Sequence, residues 1–163
     1  MPQGVSDIVK DAFAAEVAAQ GDDDAIRAVL NDVCRITGMG FAAVARVTDE
    51  RWIACQILDR IEFGLNPGDE LDIKTTICNE IRQSGQCVVI DHVDSDIVWQ
   101  THHTPMFYGF KSYVSFPVVL ADGTFYGTLC AIDPERRTVS GAAVIDAMEK
   151  LSRDVARILS EGG

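Results

Sequence analysis

The sequence is short of positive charge and has no long apolar run, and each shortage excludes a class of function. Its 163 residues carry 14 Lys and Arg against 25 Asp and Glu, which gives a net charge of −11. Such acidity argues against nucleic acid or an anionic membrane as a partner. No apolar run approaches the roughly 18 residues that a membrane span needs. The N-terminus also lacks the basic and apolar regions of a signal peptide, so we expect a cytoplasmic protein.

Paired cysteine motifs are also missing. The chain has five cysteines, an odd number, and none of them forms a Cys-x-x-Cys pair. Each lies in or beside an apolar run, where free cysteine is a common core residue. This pattern predicts buried thiols in a reducing compartment rather than disulfides or a zinc site.

The apolar periodicity predicts a single domain over residues 1–163. Helical spacing indicates an N-terminal helix within 1–21, a second helix after Asp24, a third over 77–84 capped by Thr75 or Thr76 with Glu80, and a C-terminal helix over 139–160. Strand patterns cover 41–47, 52–58, 87–91, 112–120 and 124–132, with a loop and one short helical turn between 59 and 74. This order predicts an α+β fold with an antiparallel sheet.

All three histidines fall within one segment, residues 92–113, together with several aromatic side chains. Imidazole and aromatic rings can form a flat, partly polar lining that suits a planar ligand. The alternative is that the aromatic rings fill the core while the histidines face water. The residues concerned are His92, Trp99, His102, His103, Tyr108, Phe110 and Tyr113.

Residues 76–134 carry a resemblance to a known family. ICNEIRQSGQCVVIDHV reads as a helix that leads through Ser-Gly into a strand ending in Asp. SYVSFPVVLADGTFYGTLCAIDP reads as a hairpin with Pro117 in its first strand and Gly127-Thr-Leu in its second. In this order and spacing the chain resembles the GAF family from about residue 22 onward. RWIACQILDRIEFGLNPGDEL and HHTPMFYGFKSYVSFPV resemble the GAF domains of bacterial sensor histidine kinases and phytochrome-like proteins.

The resemblance implies a five- or six-stranded sheet with the terminal helices on one face and a ligand pocket on the other. Segments 59–85 and 92–111 would close this pocket. The expected ligand is a small molecule, such as a nucleotide, a noncovalently bound bilin or another planar molecule. A bilin link in the loop is not expected, because Thr101-His102-His103 stand where bilin-binding members have cysteine; a link from Cys55 or Cys78 is an open alternative. The candidate ligand-binding residues are His102, His103, Tyr108, Phe110, Tyr113, Trp99, Trp52, Cys55, Asp91 and Ser115.

The expectation is a sensory, signal-transducing module rather than an enzyme, with two alternatives. One branch of the family reduces free methionine sulfoxide, and Cys78 and Cys87 match or approach two of its cysteines. The place of the third, around residues 104–109, has no cysteine. The other alternative is a dimerisation module without a ligand. No metal site is expected, because the adjacent His102 and His103 point to opposite sides of an extended chain.

The apolar pattern of the terminal helices predicts a homodimer. Val144, Met148, Leu151, Val155 and Ile158 alternate by four and three residues, which is close to a heptad seam. Such a seam favours a two-fold helix bundle that passes a small rotation to an output domain, such as a histidine kinase. The alternative is that the whole stripe packs on the chain's own sheet. Asp91, at a strand end, has a second interpretation as the cap of the following turn.

Overall fold

A computed structural model describes residues 11–96 and 108–162 of the chain. The helices in this part are α1 (Ala12–Gly21), α2 (Asp24–Thr37), α3 (Cys78–Ser84) and α4 (Ala142–Gly162). The strands are β1 (Phe41–Val47), β2 (Trp52–Asp59), β3 (Glu70–Leu71), β4 (Val88–Ile90), β5 (Ser112–Val119) and β6 (Phe125–Asp133). Two 3-10 turns cover Ile73–Thr75 and Val93–Ser95. The predicted α+β class is confirmed.

The six strands form one antiparallel sheet in the order β3-β2-β1-β6-β5-β4. The sixth strand, β3, lies within the segment that the sequence indicated as a loop. β1 and β6 are central, and their contact depends on Gly127. A Cβ atom there would stand 1.8 Å from the Ala45 carbonyl oxygen, so only glycine allows the two strands this close approach.

The helix boundaries differ from the predicted ones at several ends. Asp23 rather than Asp24 caps α2, because its side chain accepts a hydrogen bond from the Ala25 amide. The expected cap of α3 is wrong: the helix begins after Ile77 without a side-chain cap. The hydroxyls of Thr75 and Thr76 instead donate to the carbonyls of Asp72 and Ile73, at the start of the 3-10 turn. The C-terminal helix begins at Ala142, not at 139.

Side chains alternate along the central strands, and this alternation builds two cores. One face of the sheet carries Val44, Ile53, Phe116 and Leu129, which pack against α1, α2 and α4. The other face carries Phe41, Tyr113 and Cys130, which pack beneath α3. The terminal helices therefore share one face, as expected, and the opposite face is left for α3 and the segments around it.

The predicted heptad seam on α4 belongs to the first core. Met148 and Val155 are fully buried within the chain, and Leu151 is 7% exposed. Only Val144 and Ile158, at its two ends, are half-buried. The expectation that this seam forms a dimer interface is therefore wrong for its central residues, which are covered by α2 and β5.

Candidate ligand site

A cavity of about 40 Å³ lies between the second face of the sheet and α3. The strands supply its floor, α3 and the turn before it supply one side, and the segment after β2 supplies the other. Aromatic and aliphatic side chains make up most of the lining. The lining residues are Phe41, Trp52, Phe63, Leu65, Leu71, Thr76, Ile77, Cys78, Tyr108, Phe110, Tyr113, Cys130 and Ile132.

A polar cluster surrounds the thiol of Cys78 at the bottom of this cavity. Cys78 is the first residue of α3, and its sulfur lies over β5 and β6. The distances from Cys78 Sγ are 3.1 Å to Thr128 Oγ1, 3.5 Å to Tyr113 Oη and 3.9 Å to Ser115 Oγ. Each of these residues is buried, so the cluster is a group of hydrogen-bonding side chains inside an apolar wall.

The cluster changes the acidity of its thiols. Hydrogen bonding from Cys130, and then from Thr128 and Tyr113, outweighs burial and lowers the pKa of Cys78 to about 6. The pKa of Cys130 is raised well above its ordinary value, because its thiol donates to Cys78 and is buried. Within the pair, Cys78 therefore gives up its proton more readily than Cys130 does. Tyr113 keeps its proton, because burial raises the pKa of its hydroxyl.

Trp52 contributes a donor that the protein leaves unused. Its side chain is 2% exposed and lines the cavity. Within the described part of the chain, Nε1 is a buried side-chain donor without a hydrogen-bond partner. It faces Cys78 from beyond normal hydrogen-bond distance, so its effect on the Cys78 pKa is small. An unpaired buried N–H costs about 1–3 kcal/mol, so a ligand acceptor at this point would be favoured.

A wall of four side chains separates the cavity from an outer groove of about 470 Å³. Phe63, Leu65, Leu71 and Tyr108 line both spaces. The rings of Phe63 and Tyr108 pack with their centroids 5.8 Å apart, and the Tyr108 hydroxyl hydrogen-bonds Thr75. Rearrangement of this wall would join the cavity and the groove into one space.

The structure brings together several of the predicted ligand-binding residues. Trp52, Tyr108, Phe110 and Tyr113 line the cavity, and Ser115 reaches Cys78 beneath it. His102, His103 and Trp99 lie outside the described residues. His92 bonds Ser95 and sits beside Asp94 in the turn that follows β4.

Two predicted site residues lie elsewhere. Cys55 points to the helix-covered face, where it lies against Gly21 and Tyr126. Burial there raises the pKa of Cys55 to about 11. Asp91 accepts hydrogen bonds from the Val139 amide and the Ser140 hydroxyl. It ties the end of β4 to the segment before α4, so it neither lines the cavity nor caps the turn Val93–Ser95 that follows it.

The sequence did not single out Thr128 or Cys130 as site residues. The signal was present in the alternation of β6, where both residues share the face opposite to Leu129 and Ala131. Cys87, the second cysteine of the reductase alternative, is exposed, whereas Cys78 is buried in the cavity. Among the described residues, no group of three or more Cys, His, Asp or Glu side chains could hold a metal ion.

A model of the GAF domain matches residues 23–159. The chain belongs to the GAF family. The fold agrees: 246 chains of known structure match it. No curated protein matches the GAF chain in sequence. No helix in the described ranges is long and apolar enough to cross a membrane.

Three similar structures show how widely this fold is used. The blue-light-absorbing PixJ GAF domain of Thermosynechococcus elongatus has a TM-score of 0.68 at 9% identity, with 93% of this chain and 90% of that chain covered. The GAF-B domain of DevS from Mycobacterium smegmatis has a TM-score of 0.61 at 14% identity, covering 85% and 92%. The type II free methionine-R-sulfoxide reductase of Thermoplasma acidophilum has a TM-score of 0.63 at 10% identity, covering 91% and 95%. At these identities the likeness shows the fold alone.

Proposed function

We propose that this GAF domain is a sensor module that binds a planar small molecule beneath α3. The unpaired donor of Trp52 inside an apolar cavity is the observation that carries the proposal. Aromatic walls with a few convergent polar groups are typical of small-molecule sites. The chain would then transmit the presence of the ligand rather than convert it.

The ligand enters by displacing the wall of Phe63, Leu65, Leu71 and Tyr108. The present cavity of about 40 Å³ is far below the roughly 300–1,000 Å³ of drug-sized ligand sites. Once the wall has moved, the cavity and the outer groove would together form a site with a volume in that range. A planar ligand would replace the Phe63–Tyr108 contact, place an acceptor on Trp52 Nε1 and lie against the rings of Tyr113 and Phe110.

The reductase alternative is the weaker one for this chain. That alternative pairs Cys78 with Cys87, and exposed Cys87 does not line the cavity that holds buried Cys78. Incubation with free methionine sulfoxide tests it directly. Turnover that is lost in Cys78→Ser and in Cys87→Ser would favour the enzyme over the sensor.

The output of the sensor is also part of the proposal. A homodimer through the terminal helices, coupled to an output domain such as a histidine kinase, would convert a movement of α3 and the sheet into a signal. On α4 the residues left for such an interface are the half-buried Val144 and Ile158 and their exposed neighbours.

Two variants with opposite expected effects test the site. Isothermal titration calorimetry would use biliverdin and cyclic GMP as planar probes. Trp52→Phe removes the donor, so we expect a probe that binds the wild type to bind up to about tenfold more weakly. Thr75→Val removes the hydrogen bond that holds Tyr108 closed, so the same probe should bind up to about tenfold more tightly.

Arg153→Glu, on the exposed face of α4, is the control and should leave probe affinity unchanged. Equal effects of Trp52→Phe and Thr75→Val, or binding that neither variant alters, would place the probe outside the cavity and contradict the proposed site.

A further inference from the structure

Cys78 and Cys130 form a close pair on the floor of the cavity. Cys130 lies directly opposite Ser115 across the β5–β6 ladder and two residues beyond Thr128 on β6. Residues so placed point to the same face of a sheet. Because the Cys78 sulfur is within 3.1 Å of Thr128 Oγ1 and 3.9 Å of Ser115 Oγ, it lies over Cys130. Both cysteines also line the same cavity.

The two sulfurs of this pair have different roles. Cys78 accepts hydrogen bonds from its neighbours and is the nucleophile of the pair, because a thiolate attacks an oxidant whereas a thiol does not. Cys130 keeps its proton and lines the same cavity as Cys78. A low-pKa thiol beside a second thiol is the arrangement of a redox-responsive site.

The cavity gives this pair a size filter. A cavity needs a volume of about 10–15 Å³ to hold one water molecule. The cavity next to both cysteines has a volume of about 40 Å³. Hydrogen peroxide, with two oxygen atoms, fits this space. A tripeptide disulfide such as oxidised glutathione does not.

We propose that Cys78 and Cys130 are a peroxide-oxidised dithiol site, at which hydrogen peroxide entering the cavity converts the two thiols into a disulfide. The Cys78 sulfur attacks one peroxide oxygen. The S–O bond forms, the O–O bond breaks, and the leaving hydroxide becomes water by taking a proton from solvent, which balances the proton that Cys78 released to solvent on ionising. The Cys130 sulfur then attacks the sulfenic sulfur, the S–S bond forms and the S–O bond breaks. The second hydroxide leaves with the Cys130 proton, so two thiols lose two electrons and one peroxide yields two waters.

This site is independent of the proposed sensor ligand, because its chemistry needs only the two cysteines and peroxide. A disulfide would hold the first turn of α3 against β6, since the two sulfurs would then be about 2.05 Å apart. The oxidised chain should therefore be more resistant to unfolding than the reduced chain.

Peptide mapping without reduction tests the proposal on the wild-type chain. After treatment with hydrogen peroxide we expect a peptide pair linked through Cys78 and Cys130, which dithiothreitol separates. Cys87→Ser is the matched control and should form the same link, because Cys87 is exposed and away from the cavity. Oxidised glutathione at the same concentration should form the link at least tenfold more slowly.

The proposal is overturned if Cys78 and Cys130 stay as free thiols while Cys87 is oxidised, or if Cys78 is linked to another cysteine. It is also overturned if oxidised glutathione forms the link as fast as peroxide does. In Cys130→Ala the disulfide cannot form. Peroxide treatment should therefore add oxygen to Cys78 and raise the intact mass, rather than lower it by the two hydrogens that a disulfide loses. A variant that does not fold leaves the wild-type mapping to decide.

Discussion

Cys78 shows how the surroundings of a residue decide its chemistry. Cys55 and Cys78 are both almost fully buried, yet burial raises the pKa of Cys55 while hydrogen bonds lower that of Cys78. The difference comes from the sheet face on which each lies. Cys55 meets backbone, Tyr126 and the helix-side core, whereas Cys78 meets three hydroxyls and a second thiol.

The titration of Cys78 is therefore a prediction at the scale of one residue. The ultraviolet absorbance of the Cys78 thiolate is obtained by subtracting the spectrum of Cys78→Ser from that of the wild type. As the pH is raised, this difference should increase with a midpoint near pH 6 rather than near the ordinary 9. In Cys130→Ala the midpoint should move upward, because the first of the hydrogen-bond donors is lost. A midpoint near 9 in both proteins would mean that the cluster does not stabilise the thiolate.

The aromatic part of the site could be predicted from the sequence, and so could Ser115 and Cys78 of its polar part, whereas Thr128 and Cys130 were not predicted. Tyr108, Phe110 and Tyr113 could be indicated because rings in a segment of irregular periodicity are unusual, whereas Trp52 lies in a predicted strand. The alternation of β6 places Cys130 on the same face as Thr128, but a cysteine in the apolar run TLCAI has the pattern of a core residue, so the sequence does not show that this face carries the site. Which face a residue takes depends on strand register: Cys55 shares the helix-covered face with Ile53, and the bulge in β2 reverses the alternation only after it, so that Ile57 packs on the cavity face.

At the scale of the secondary-structure elements, the apolar periodicity of α4 had two interpretations. Its apolar stripe fits a coiled-coil seam and also fits a helix lying on a sheet, because both need apolar residues every three to four positions. The stripe is buried against α2 and β5 within one chain. The strands were predictable from alternation, whereas two-residue β3 was not, because a strand so short has no period.

Met148→Glu distinguishes the two interpretations of α4. Because Met148 is fully buried, a carboxylate there has no partner, and we expect the free energy of unfolding to fall by about 4 kcal/mol or more. Met148→Leu, which keeps the volume, should cost less than about 1.5 kcal/mol. Urea denaturation followed by circular dichroism measures both. A folded, monomeric Met148→Glu chain would instead mean that the stripe is an interface.

At the scale of the whole molecule, the two faces of the sheet differ: one is closely packed and the other holds the candidate site of this GAF domain. One face and the helices α1, α2 and α4 form a close-packed core. The other face, with α3, keeps a cavity, an unpaired donor and a pair of thiols. Family and fold were predictable from the order of motifs along the chain. The ligand was not, because the shape of the site depends on which side chains of segment 59–76 and Tyr108 meet over the sheet.

The central claim is that this cavity receives a planar small molecule, and a crystallographic fragment screen tests it most directly. Crystals of the chain would be soaked with small planar compounds that carry an acceptor, among them nicotinamide, adenine and indole carboxylates. We predict a fragment between Trp52, Cys78 and Tyr113, with its acceptor on Trp52 Nε1 and Tyr108 displaced from Thr75. Fragments that bind only at the outer surface, with Trp52 Nε1 still unpaired, would contradict the claim.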